Sequence, residues 1–225
     1  HWIESGAIDA ERATEAASIV GVRPDAVHWQ RFVDLLLLVA GALALASGVV
    51  FFIAYNWDAL VRFGQLAGLQ LLILAAVALY WRLGTAKVTA QVTLLVAALL
   101  LGALLALYGQ TYQTGADPWQ LFATWALLML PWAAVGRFAP LWLLWLLLLN
   151  LSAALWYDAR FGLLGIAFAA RDDLAWLLFL LNTAAWAAWE AAASRFAWLT
   201  LARWPVRLIA TASGWAITLL VLRAI

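Results

Sequence analysis

Long apolar stretches separated by short polar segments make up most of the chain after residue 34. Each stretch is long enough to cross a hydrocarbon core about 30 Å thick as a helix that rises about 1.5 Å per residue. Strands of an outer-membrane barrel would alternate apolar and polar residues, whereas the run 141–149 is apolar throughout. The pattern therefore predicts an all-α, polytopic transmembrane helical bundle with about seven membrane helices: Leu35–Tyr55, Phe63–Trp81, Val88–Tyr108, Trp119–Val135, Leu141–Trp156, Leu174–Trp189 and Val206–Leu222.

The composition supports a membrane protein and excludes a soluble binding module. Of the 225 residues, 68% are hydrophobic and 11% are charged, whereas a soluble domain is about half apolar and about a quarter charged. The net charge of +1 gives no general attraction for nucleic acid, so we expect no nucleic-acid partner. The chain contains no cysteine and two histidines outside the apolar runs, and we predict neither a metal site nor a cofactor.

The first 33 residues are more polar than the rest and predict a short cytoplasmic helical segment ahead of a transmembrane domain at 34–225. Asp9 is a candidate helix N-cap, and Gly21 and Pro24 end the helical pattern. Such a helix buries too little apolar surface to fold alone, so we expect it to dock on the membrane domain, on a second copy or on a protein partner. Because the chain begins with His1, we expect it to be a fragment of a longer one.

The distribution of Lys and Arg predicts the orientation of the bundle. With seven spans, one side carries Arg12, Arg23, Arg31, Arg82, Lys87, Arg137, Arg195, Arg203 and Arg207, and the other side carries Arg62, Arg160, Arg171 and Arg223. Cytoplasmic loops carry the excess of basic residues. We therefore predict a multi-pass protein of the bacterial inner (cytoplasmic) membrane with a cytoplasmic N-terminus, in contact with the lipid bilayer.

Tryptophan and small residues have conventional interpretations in such a bundle. Most of the 16 Trp residues fall near the ends of the predicted spans, and we interpret them as interfacial belts rather than as a ligand cage. Gly64 and Gly68 on the second helix, and an alanine series between Ala184 and Ala192 on the sixth, form small-residue faces that allow close helix packing. Self-association through these faces is one possible partner interaction.

Polar side chains concentrate at the outer ends of the first, third and fifth helices, and the fifth end contributes Tyr157 and Asp158. The first and third connections predict an outward-facing polar cap. Amide and hydroxyl groups are costly in lipid unless they pair with one another, with water or with a ligand. The candidate ligand-binding residues are Tyr55, Asn56, Asp58, Gln110, Tyr112, Gln113 and Asp117. The alternative is a closed structural cap, in which Asp58 and Asp117 accept hydrogen bonds and Asp117 caps the fourth helix.

Signals for an enzyme or a coupled transporter are few. Asp58, Asp117 and Asp158 form a possible carboxylate cluster, but the chain has no zinc-binding His-Glu-x-x-His sequence, nucleophile elbow or phosphate-binding loop. We therefore predict no catalytic residue. Asp34 and Glu190 lie near span ends, and charged residues within the spans, which would indicate ion-coupled transport, are scarce.

Several of these motifs resemble a known family. Three motifs look like the bacterial predicted membrane proteins of domain-of-unknown-function family 2157: Ala54-Tyr55-Asn56-Trp57-Asp58, Gly109-Gln110-Thr111-Tyr112 with Ala116-Asp117, and Trp125-Ala126-Leu127-Leu128 with Leu130-Pro131. The stretch from Trp2 to Ile8 resembles that family's cytoplasmic N-terminal element, and the resemblance extends to about residue 157. It implies a multi-pass inner-membrane protein and assigns no activity or site residue.

The sequence leaves two functional hypotheses. The first is a non-enzymatic membrane component, a scaffold or envelope sensor, that contacts partners through its cytoplasmic helix and outer cap. The second is a permease or binding protein for a small solute or a lipid head group, acting through the polar cap residues.

Overall fold

The computed structural model describes residues 26–55, 62–168, 171–200 and 203–224. All regular secondary structure within these ranges is helical, which confirms the predicted all-α class. The helices are α1 (Ala26–Tyr55), α2 (Arg62–Leu83), α3 (Val88–Tyr112), α4 (Pro118–Gly136), α5 (Ala139–Phe168), α6 (Arg171–Ala193), α7 (Ala197–Thr200) and α8 (Trp204–Ala224).

Six of the described helices, α1 to α6, are long and apolar enough to cross a membrane. The seventh predicted span, Val206–Leu222, does form a helix, but α8 is not among these six candidates. The helical membrane bundle is thus confirmed with six candidate spans and a further long helix.

Two compact units divide the chain, His1–Ala44 and Leu45–Ile225. In the first unit the structure describes residues 26–44, the N-terminal part of α1, where Leu36 and Leu37 are more than half exposed. Residues 1–25, which include the predicted cytoplasmic helix, lie outside the described part. The predicted domain division at residue 33 stays a prediction, and α1 begins before it, at Ala26.

Helices that follow one another pack as antiparallel neighbours in the second unit. α2 packs on α3, α4 on α5 and α6 on α8, while α3 to α4 and α5 to α6 link these pairs. Short connections favour such neighbours. The turn after α2 uses Gly84 at φ +90°, with Lys87 N–H donating to the Gly84 carbonyl at 3.0 Å, and Arg137 at φ +45° joins α4 to α5.

The centre of this unit is α3, which is buried on several sides. Leu94, Leu95 and Val96 are all buried, and successive residues of an α-helix point about 100° apart around its axis. By contrast, Leu71 on α2 and Leu127 on α4 are about two thirds exposed. In a bundle surrounded by lipid, exposed leucines contact acyl chains, so a helix needs no polar outer face.

Each predicted span lies within a longer helix of the structure. The third was expected to end at Tyr108, but α3 continues to Tyr112, so Gln110 and Tyr112 lie on its last turn rather than in a loop. The fifth was expected to end at Trp156, but α5 continues to Phe168. Polar residues can extend a helix past the apolar core because its backbone hydrogen bonds remain internal.

Candidate functional site

The described residues of the predicted polar cap have exposed side chains. Tyr55 at the end of α1 is 91% exposed, and Gln110 and Gln113 are also exposed. Tyr112 is half exposed, and its ring lies 4.6 Å from that of Tyr108. Asn56 and Asp58 lie outside the described residues. The binding role of the seven predicted cap residues therefore stays a prediction.

Asp117 occupies the N-cap position of α4, as the alternative interpretation requires, but its carboxylate makes no capping hydrogen bond. A capping side chain usually accepts the N–H of the second or third helical residue. Here the N–H of Gln120, the third residue, donates to the backbone carbonyl of Asp117 at 3.0 Å. Pro118, the first residue, has no N–H to offer. The predicted cap by the Asp117 carboxylate is thus wrong, and that exposed group remains at the surface.

The fifth helix exit, where Tyr157 and Asp158 were expected to join the outer polar groups, is helical. Tyr157 is buried, and its hydroxyl donates a long hydrogen bond of 3.4 Å to Asp173 on α6. One carboxylate oxygen of Asp158 is buried without a hydrogen-bond partner in the described structure. Tyr157 therefore links α5 to α6 inside the bundle.

A cavity of about 450 Å³ lies at the other end of the bundle, between α4, α5, α6, α7 and α8. Its walls come from the last turns of α4 and α6 and the first turns of α5 and α8, so it lies beside the α4–α5 and α6–α7 connections. We name it the inner cavity, since the predicted orientation places these connections on the cytoplasmic side. Its volume falls in the range of about 300–1,000 Å³ typical of ligand pockets.

Aromatic and small residues shape the inner cavity. Two pairs of indoles form its aromatic walls, Trp142 with Trp145 on α5 and Trp189 with Trp198 on α6 and α7. The rings of each pair meet edge to face, with centroids 5.8 Å and 6.2 Å apart. The remaining space adjoins small side chains of α4 and α6: Ala134, Ala185, Ala188 and Ala192. Alanines opposite fixed aromatic rings keep this space open, because neither can extend into it.

The polar side chains among the residues that line the inner cavity are all hydrogen-bond donors. Arg137 contributes a guanidinium, and the four tryptophans contribute indole N–H groups. The indole nitrogens of Trp142 and Trp189 are buried and have no acceptor among the described residues. Buried polar groups normally have a partner, so two unsatisfied donors at one cavity require an explanation.

Charge around the inner cavity is mainly positive in the described structure. Arg137 is exposed at the cavity and has no ion-pair partner within the described ranges. Glu190, which follows the lining residue Trp189, is paired with Arg203 at 3.2 Å. Arg195 is exposed and precedes the lining residue Phe196. The local acid is therefore neutralised, and Arg137 remains available to an anion.

A second groove, of about 420 Å³, lies between residues 45–52 of α1 and residues 64–72 of α2. Gly48, Gly64 and Gly68 line it, and a Cβ atom added to any of them would meet no atom within 4 Å. The small-residue face on α2 was expected to let a neighbouring helix approach closely. No helix of the described structure does so, and we name this surface the glycine groove.

Polar contacts hold the helices together elsewhere in the bundle. Asn150 on α5 and Asn182 on α6 exchange two amide hydrogen bonds of 3.2 and 2.7 Å, and each also donates to a carbonyl of its own helix. Thr183 on α6 and Ser213 on α8 share a 2.6 Å hydrogen bond. These amides and hydroxyls are satisfied within the protein, and we assign them a structural role.

Sequence reasoning missed the inner cavity. Trp142 was interpreted as part of an interfacial belt rather than a ligand cage, and the small residues of α6 as a packing face. The available signal was the spacing: Trp142 and Trp145 lie three residues apart, and Ala185, Ala188 and Ala192 lie at similar intervals. A single sequence does not show, however, that these faces of α5 and α6 line the same cavity.

Comparison with known proteins identifies the family. The family model of predicted membrane proteins designated DUF2157 matches residues 1–142, more than half of the chain. No curated protein and no solved structure matched the chain. The matched residues include α1 to α4 and the start of α5, and with them Arg137 and Trp142 of the inner cavity. The chain therefore belongs to the DUF2157 family of predicted membrane proteins.

Proposed function

We propose that this membrane protein is a lipid-binding component that holds the acyl chain of an amphipathic molecule in the inner cavity. The observation that supports this proposal best is an aromatic, alanine-bordered space of about 450 Å³ within a bundle of membrane helices. Apolar cavities with a few polar groups are the usual form of small-molecule sites. An acyl chain matches the apolar walls and is abundant in the surrounding bilayer.

The side chains around the inner cavity also support ligand binding rather than a loosely packed region of the bundle. Trp189, Leu199 and Ile209 are buried and belong to the hydrophobic cluster beside the cavity, so its walls are formed by fixed side chains. Protein interiors otherwise fill space to a density that leaves few voids larger than a water molecule. A preformed apolar site lowers the entropic cost of ordering a ligand.

Filling the cavity tests this proposal. Ala188→Phe places a ring at a lining position of α6, whereas Ala184→Phe, one turn earlier on the same helix, places it at an exposed position outside the cavity lining. Native mass spectrometry of the purified full chain with added phospholipid measures the lipid that remains bound. We expect wild type and Ala184→Phe to retain one lipid and Ala188→Phe to lose it. Equal retention by all three proteins would exclude the inner cavity as the site.

A second candidate, consistent with the scaffold hypothesis, is an assembly component that self-associates through the glycine groove. The observation in its favour is the open space beside Gly48, Gly64 and Gly68. Small residues allow helix backbones to approach closely in membranes, where packing contacts drive association. A second copy of the chain would bury this face through an equivalent helix.

Substitution of the groove glycines tests self-association. Gly64→Leu and Gly68→Leu fill the groove, and Gly214→Leu is the control because Gly214 also has open space but lies on α8. Crosslinking in lipid followed by size analysis measures the dimer fraction. We expect the groove variants to reduce the dimer several-fold and the control to leave it unchanged. A wild-type chain that is monomeric at all protein-to-lipid ratios would rule out this candidate.

A further inference from the structure

We infer, resting on the proposed lipid-binding function, that the inner cavity selects an anionic lipid whose head group binds beside Arg137. The occupant is thus a phospholipid with a net negative head group, its acyl chain against the tryptophans and its phosphate oxygens facing the guanidinium. The inference extends the proposed function from the presence of a lipid to its chemical class.

The hydrogen-bonding character of the cavity is the first argument. Its lining offers a guanidinium and indole N–H groups, while no lining residue that the structure describes carries a carboxylate, amide or hydroxyl side chain. A ligand that fits this set must supply acceptor oxygens. The indole nitrogens of Trp142 and Trp189 are buried without an acceptor in the described structure, which adds two unsatisfied donors beside the cavity.

The local charge balance is the second argument. The Glu190 carboxylate already accepts a bond from Arg203, so it does not compensate Arg137. An uncompensated guanidinium beside an apolar cavity favours an oxyanion, and guanidinium to phosphate contacts are often bidentate. A zwitterionic head group brings its own cation, which weakens this attraction.

The location of the cavity is the third argument. Arg137 occupies the short connection between α4 and α5, at the end of the membrane helices, where the head groups of the adjoining leaflet lie. The two tryptophan pairs, one on α5 and one on α6 and α7, lie within a few residues of the same end. A lipid can therefore place its phosphate at Arg137 and its chain among the indoles without leaving its leaflet.

The experiment compares head groups on matched variants. The purified full chain, delipidated in neutral detergent, is titrated with phosphatidylglycerol, with phosphatidylcholine of the same acyl chains and with inorganic phosphate. Wild type is compared with Arg137→Gln, Arg137→Lys and the cavity-filling Ala188→Phe. Arg137→Gln should preserve the fold, because glutamine tolerates this backbone conformation: Gln113 in the same chain also has a φ of +45°.

We expect wild type to bind phosphatidylglycerol about fivefold to tenfold more tightly than phosphatidylcholine, the range expected for one or two favourable charge contacts with a lipid. Arg137→Gln should lose this preference while still binding both lipids, and Arg137→Lys should retain most of it. Inorganic phosphate alone should neither bind measurably nor compete.

The possible failures are distinguishable. Equal binding of both lipids by wild type, abolished by Ala188→Phe, would overturn the anionic selectivity and leave the lipid-binding function intact. A preference for phosphatidylglycerol that persists in Arg137→Gln would also overturn the role of Arg137. Binding of inorganic phosphate as tight as that of phosphatidylglycerol would replace the lipid by a free anion. Lipid binding insensitive to Ala188→Phe would overturn both proposals.

Discussion

Asn150 and Asn182 show how a membrane bundle accommodates amide side chains. Asn182 is only 3% exposed, and the two residues satisfy each other across α5 and α6 while also bonding to Leu146 and Leu178 of their own helices. In apolar surroundings an amide that loses its partner has no water to replace it. The pair therefore fixes the register of the two helices as well as contributing stability.

A double-mutant cycle at this pair tests its energetic role. We expect Asn150→Leu and Asn182→Leu each to lower the free energy of unfolding by about 1–2 kcal/mol, because each removes the cross-helix partner of the other amide. The double variant should cost less than the sum by at least about 0.5 kcal/mol. Reversible unfolding in mixed micelles measures these values. Gln70→Leu on the exposed face of α2 serves as the control and should be close to neutral.

Strict additivity would contradict direct coupling between the two asparagines. In that case each amide would act mainly through the carbonyl of its own helix. A neutral effect of both single variants would mean that the amides find alternative partners in the membrane, as polar groups in transmembrane helices sometimes do.

At the scale of elements, α3 and α4 meet at an unusually close contact. A Cβ atom added to Gly102 would lie 2.4 Å from the Trp125 ring, and Trp125 donates its indole N–H to the carbonyl of Ala98 at 2.8 Å. Glycine at 102 thus provides the space in which the indole lies flat against α3. This contact gives a physical reason for the tryptophan at position 125 of the motif, which the residue pattern alone did not provide.

Substitution of Gly102 should destabilise this contact. Alanine is a better helix former than glycine by up to about 1 kcal/mol, but Gly102→Ala must displace a buried ring, and overpacking costs about 1–3 kcal/mol. We expect a net loss of about 1–2 kcal/mol in the free energy of unfolding. Gly214→Ala, where nothing lies within 4 Å, should be neutral or slightly stabilising. Equal stability of the two variants would show that α3 and α4 are farther apart than described.

The apolar runs predicted the helices well because each run has about the length that a helix needs to cross a membrane. They did not predict that Gln110 and Tyr112 continue α3, since the helix outlasts the apolar pattern by a turn. They also missed the inner cavity, whose walls combine Trp145, Ala188 and Ile209 from three helices. In lipid, exposed and buried faces are equally apolar, so hydrophobicity alone does not reveal which faces meet.

At the scale of the whole molecule, the number of membrane crossings depends on whether α8 spans the bilayer. This helix has 21 residues, enough to cross a core about 30 Å thick. The hydroxyls of Thr211, Ser213 and Thr218 are each satisfied: two bond to carbonyls of α8, and that of Ser213 bonds to Thr183. α8 also packs along α6, which is itself a candidate span. These contacts favour a seventh membrane crossing.

Cysteine accessibility distinguishes seven crossings from six, and the chain is suited to it because it has no cysteine of its own. With seven spans and a cytoplasmic N-terminus, a membrane-impermeant maleimide added to intact cells should label Thr114→Cys and Ala224→Cys. It should label Thr85→Cys and Ser194→Cys only after permeabilisation. If Ala224→Cys instead behaves like Ser194→Cys, α8 lies within one leaflet and the bundle has six spans. If all four responses reverse, the basic residues beside the inner cavity face outward, and its lipid comes from the outer leaflet.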